Sequence, residues 1–172
     1  MKELLEHYGA NVNFQWPVPL ADLTLAIARE SQAVKTFRVA TAYEESDRGS
    51  ADIWGYPMTV IASGPVLGAG FANKVETLLK VETLLTDYRT YMGHGMKCGF
   101  EPGVAFQIQS PKGRVTILIC FKCLDILVTT YQKNRKKHQR IAHFQPAFKS
   151  VVALAQEAFP NDPALMRLGN PH

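Results

Sequence analysis

GVAFQIQ (103–109), RVTILICF (114–121) and LDILVTTY (124–131) follow one another with almost nothing between them. The first two flank Ser110-Pro111-Lys112-Gly113, whose proline and glycine favour a tight turn. β-Branched and aromatic residues dominate all three segments, which is strand composition. A second reversal or bulge is required near Lys122-Cys123. Three consecutive strands joined this tightly can only be antiparallel neighbours.

Moving toward the N-terminus, Thr36–Tyr43 alternates, with Phe37, Val39, Thr41 and Tyr43 on one side, and reads as a half-buried strand. A polar link at 44–52 is followed by a strand over Pro57–Ser63. Helices are predicted over Lys2–Tyr8, stopped by Gly9, and over Leu20–Ser31, where Leu20, Leu23 and Ile27 share a face. Toward the C-terminus, Phe148, Val151, Val152, Ala155 and Phe159 recur at helical spacing within Pro146–Phe159, and Asp162-Pro163 opens a last short turn. Strands grouped as hairpins, with helices before, between and after them, give an α+β fold. The expected architecture is a mostly antiparallel sheet of about five strands with helices packed against it.

One helix, 71–88, carries a duplication. Lys74-Val75-Glu76-Thr77-Leu78-Leu79 is repeated at once as Lys80-Val81-Glu82-Thr83-Leu84-Leu85. Six residues advance a helix by ~600°, so the copies face directions ~120° apart. Together with Phe71 and Tyr88 they generate an apolar arc of ~220°, against ~100° for an ordinary amphipathic stripe. Such a helix needs cover on two sides, either from its own chain or from a homo-oligomer or protein partner.

At 172 residues, 47% hydrophobic and 20% charged, the chain has ordinary globular composition and suits one domain. No apolar run is long enough to span a bilayer, and Glu3 and Glu6 interrupt the N-terminal apolar residues. A cytoplasmic location is expected on these grounds, with an exported form as the alternative. The net charge is +4, but Lys133–Arg140 alone holds five Lys/Arg (Lys133, Arg135, Lys136, Lys137 and Arg140). The chain therefore reads as a near-neutral domain with one basic loop at 133–140, unlike the pervasive basicity of nucleic-acid binders. With Tyr131, His143 and Phe144 nearby, that loop is the one place where a nucleic-acid backbone could be gripped.

The three cysteines, Cys98, Cys120 and Cys123, admit three readings. A structural zinc site takes four Cys/His ligands, commonly including a close Cys-x2-Cys pair. Cys120 and Cys123 supply such a pair, Cys98 a third sulfur and His94 a fourth ligand, with His143 as a looser substitute. A redox couple would use Cys120-Phe121-Lys122-Cys123. However, residues an odd number apart on a strand point to opposite faces unless a bulge intervenes. The third reading is burial, since free cysteine packs as a small apolar residue. A reducing cytosol would keep three thiols or a metal site, whereas an exported form could close one disulfide and leave one thiol free. The glycine-rich Ser63–Phe71 lies between a predicted strand and helix but lacks both the dinucleotide and the P-loop glycine patterns, so it reads as a plain connection. No spacing of Ser, His, Asp or paired carboxylates forms a catalytic set.

Cys98, Pro102-Gly103, Cys120-Phe121-Lys122-Cys123, Phe144-Gln145-Pro146 and Ala158-Phe159-Pro160 form a pattern that resembles uncharacterised bacterial proteins, some of them lipoprotein-like. The likeness spans roughly residues 56–168, and this chain lacks the lipobox of the lipoprotein-like members. The resemblance implies no reaction and brings no functional residues with it. The resulting expectation is a non-catalytic protein with a structural or partner-binding role.

Overall fold

The computed structural model describes residues 18–41, 58–81, 100–132, 137–144 and 147–169. The helix predicted over Lys2–Tyr8 and the polar link at 44–52 lie outside these residues.

Helix α1 (Val18–Glu30) leads into β1 (Ala33–Thr41), which pairs with β2 (Met58–Gly68). Helix α2 (Ala69–Val81) then precedes a four-strand meander: β3 (Val104–Ser110), β4 (Gly113–Cys120), β5 (Asp125–Gln132) and β6 (Lys137–His143). Helix α3 (Phe148–Ala158) and the single turn α4 (Pro163–Met166) close the chain. One six-stranded sheet results, ordered β2-β1-β3-β4-β5-β6, with every neighbouring pair antiparallel. The fold is α+β, as the strand grouping predicted. Because β2 and β3 flank β1 on opposite sides, they run parallel to each other, and the chain must cross over between them.

Two strands correct the sequence reading. Strand β2 does not stop at Ser63 but continues through the glycine-rich stretch to Gly68, where α2 begins directly. Local composition reads Gly64-Pro65 as a connection. The partner strand overrides it, because Val34 and Lys35 pair with Leu67 and Val66. The register slips between Lys35 and Phe37 and again between Arg38 and Val39, so bulges absorb Gly64-Pro65 and Ile61. An edge strand tolerates proline, since one side of its ladder is free. Gly64 is required on packing grounds: a Cβ there would strike Thr36 Oγ1 and the Phe159 ring. The second correction is β6. The basic segment is not a loop throughout, because Lys137 and Arg140 lie in a strand whose register runs from Tyr131↔Lys137 to Asp125↔His143. Charged residues suit an edge strand, where they discourage further pairing.

The helices cover one face. Alternation sends Val115, Ile117 and Ile119 of β4 and Ile126 and Val128 of β5 into a core with Ile27 of α1, Phe71, Val75 and Leu79 of α2, and Val151 and Ala155 of α3. Phe71 meets Phe106 edge to face at 5.4 Å between ring centroids. Thr24 of α1 hydrogen-bonds Thr130 of β5 through their buried hydroxyls at 2.7 Å. Val39, Met58, Phe100, Ala105, Leu118, Cys120 and Leu127 form a second cluster on the opposite face. Burial on both faces explains why β4 reads as an almost unbroken apolar run.

In α2 the buried positions are Phe71, Ala72, Val75, Leu78 and Leu79, an arc of about 120°. That is an ordinary stripe, and it contains the first copy of the duplication. Leu84, Leu85 and Tyr88, which widened the predicted arc, lie outside the described residues.

Candidate functional site

Strand β4 ends at Cys120, and Phe121–Leu124 forms the four-residue turn into β5, with Cys120 paired to Asp125. Leu124 closes this turn at φ 57°, a left-handed conformation that non-glycine residues seldom adopt. The carbonyl of Leu124 accepts the Phe144 N–H at 2.7 Å, which ties the turn to the end of β6. Phe144 is fully buried and meets Phe121 edge to face at 6.0 Å. Because the strand has ended, strand alternation no longer separates the two cysteines. The Cys123 N–H instead donates to Cys120 Sγ at 3.3 Å.

The two sulfurs are in different states. Cys120 is a free thiol and fully buried beside Leu118 and Leu127. Cys123 is disulfide-bonded, and its partner lies outside the described residues. The turn therefore does not hold a Cys120–Cys123 couple in this state. Lys122 pairs with Glu101 at 3.2 Å, both side chains being well exposed.

Cys98 and His94 fall outside the described residues, as do Lys133, Arg135 and Lys136. His143 is placed opposite Asp125 by the β5–β6 register. Among the described residues no three His, Cys, Asp or Glu side chains gather closely enough to hold a metal ion.

Sequence reasoning missed a polar block on the sheet face behind the helices. The register pairs Arg114 with Tyr131 and Thr116 with Thr129, which places these four residues together on the second face. The Arg114 guanidinium stacks over the Tyr131 ring at 4.3 Å from its centroid, a geometry that acts through charge on the ring face. Burial pushes the Tyr131 hydroxyl above its ordinary pKa, and the positive charge of Arg114 offsets only part of that rise. Thr116 is fully buried, and its Oγ1 has no hydrogen-bond partner among the described residues. The signal was present as polar residues at every second position, Arg114-x-Thr116 and Thr129-x-Tyr131. It was masked by the apolar residues between them.

A groove of ≈ 480 Å³ runs along the helix layer between α2 and α3. Leu78, Leu154 and Ala153 contribute its apolar lining, and Asn73, Thr77 and Ser150 its polar rim. Lys74 and Glu157 bridge the two helices at 2.7 Å, with about half of each side chain in solvent. Salt and side-chain entropy leave such a pair little net strength.

No helix among the described residues is long and apolar enough to cross a membrane. Comparison of the chain with protein-family models, with curated proteins and with solved structures returns no match.

Proposed function

We propose that the protein is non-catalytic and has a structural or partner-binding role, with the groove between α2 and α3 as its contact surface. The carrying observation is the apolar lining of that groove. Leu78 and Leu154, at the edge of the core, line the groove beneath a polar rim. Two helices presenting an apolar trough with a polar margin can receive an amphipathic helix. The duplicated helix supplies one wall, so self-association through it is the specific form of the proposal. Light scattering on the purified chain tests it. A dimer that Ala153→Arg converts to monomer supports the reading, because Ala153 is exposed in the groove. A wild-type chain that stays monomeric up to its solubility limit defeats it.

A second reading has one observation in its favour. The turn brings the Cys123 N–H onto Cys120 Sγ, so after reduction two thiols three residues apart would share one turn. Two such thiolates form half of a zinc site, with Cys98 and His94 as the remaining sequence candidates. Elemental analysis of protein purified under reductant decides it. One zinc per chain, lost on Cys120→Ser, supports ligation, and a metal-free chain with three titratable thiols removes it.

A further inference from the structure

The groove between α2 and α3 carries charge at one level only. Of the residues that line it, Lys74 and Glu157 alone are charged, one on each wall. Lys74 Nζ donates to both Glu157 oxygens, Oε1 and Oε2, at 2.7 Å each. Those bonds use two of the three ammonium N–H donors and part of the carboxylate's lone pairs, so each group retains capacity for a further partner. An occupant seated over this bridge takes both charges out of water, which is costly unless new partners replace the lost hydration. It must therefore bring an anion to stand over Lys74 and a cation to stand over Glu157. Thr77 and Ala153, one helical turn from the two charges, are small enough to let a second pair of helices approach.

We infer that the occupant is a second copy of this chain, related by a two-fold axis that passes through the Lys74–Glu157 bridge. Such an axis lays each wall of the groove over the opposite wall of the other copy. Lys74 of each copy then stands over Glu157 of the other, and four charges alternate in sign around the axis. The second copy thus supplies the required anion and cation, at the required spacing, from the same two residues. Complementary charge of this kind fixes register and rejects partners that lack it. The inference rests on the groove being the self-association surface, and it adds where the axis lies and which charges select the partner.

Charge exchange in the full chain, read by light scattering, tests the inference. The Lys74 and Glu157 side chains are 56% and 44% exposed, so their substitution should leave the fold in place, which thermal unfolding checks. Lys74→Glu gathers four carboxylates around the axis, and Glu157→Lys gathers four ammonium groups. Each variant alone should dimerise about a hundredfold more weakly than wild type. An equimolar mixture of the two should recover the dimer mass, because every carboxylate then faces an ammonium of the other copy. Within each chain of that mixture positions 74 and 157 still carry like charges, so the recovery reports contacts between copies and not the bridge within one. A chain with both substitutions should dimerise like wild type. A mixture that stays monomeric overturns the inference. A wild-type dimer that Ala153→Arg breaks and Lys74→Glu leaves intact overturns this inference alone, whereas a monomeric wild type overturns it together with the reading of the groove.

Discussion

The contact that fastens the C-terminal segment to the sheet gives a graded prediction. Asp162 uses its two carboxylate oxygens for different tasks. Oδ1 accepts the N–H groups of Ala164 and Leu165 at 2.9 and 3.1 Å, capping α4, while Oδ2 receives Arg38 Nε at 2.6 Å. Both side chains are only about one-fifth exposed (21% and 20%), so water weakens the pair only partly. Losing the cap costs about 1 kcal/mol and losing a charged hydrogen bond about 1.5–3 kcal/mol. Asp162→Ala should therefore destabilise by about 3 kcal/mol, or roughly 6–12 °C in Tm for a chain of this size. Asp162→Asn retains the capping oxygen and loses the charge, so it should cost about half as much. Burial alone would raise the Asp162 carboxyl. Hydrogen bonds from Leu165 and Arg38, the charge of Arg38 and the Ala164 N–H outweigh it, holding the group below its usual 3.8. Its contribution is thus complete above the unfolded value and disappears as pH falls through the lower folded one. The gap between wild type and Asp162→Asn should accordingly begin to narrow below about pH 4 and close only beneath the lower folded value. Urea unfolding of Arg38→Ala, Asp162→Ala and the double variant supplies the decisive cycle. Costs that add to within about 0.5 kcal/mol would show that the pair is not coupled and refute the reasoning.

Thr116→Val replaces a buried hydroxyl that has no partner among the described residues with an equally shaped apolar group, so stability should hold or rise by up to about 1 kcal/mol. A loss of that size in urea unfolding would mean that the hydroxyl is bonded in solution. Gly113→Ala places a Cβ against the Tyr131 carbonyl at φ 156° and should cost about 1–3 kcal/mol. Gly70→Ala, with open space around it in the first turn of α2, should instead stabilise by about 0.4–1 kcal/mol. Equal Tm values for these two variants would contradict the packing at Gly113.

The meander from β3 to β6 was legible up to β5 because its strands touch neighbours close in sequence, so turn chemistry and composition carry the pairing. The edges were not. Residues 64–68 are strand only because β1 offers them a ladder, and β1 belongs to a different part of the sequence from the glycine-rich pattern that governed the reading. Lys137–Arg140 looked like solvated charge, yet the backbone of β5 supplies partners that are indifferent to side-chain polarity. Long-range pairing outvotes local propensity where a strand end would otherwise be left unpaired. The helices fared better, since amphipathic spacing reports burial directly. Phe148, Val151, Val152 and Ala155 are all buried, as their spacing required.

The sulfur site shows the limit of periodicity. Counting alternate faces from Cys120 to Cys123 presupposes that the strand continues, and the count separates the sulfurs. The strand ends at Cys120 because Leu124 takes φ 57°, reversing the chain within four residues. That conformation has no signature in leucine, which disfavours it, and it is held from outside by the Phe144 N–H on the Leu124 carbonyl and by Phe144 against Phe121. One residue twenty positions downstream of the turn, Phe144, thus helps hold its conformation. Truncating Phe144 would remove the ring contact with Phe121 but leave its backbone N–H on the Leu124 carbonyl, so the turn would lose one of its two braces. No window of sequence centred on the cysteines contains that information.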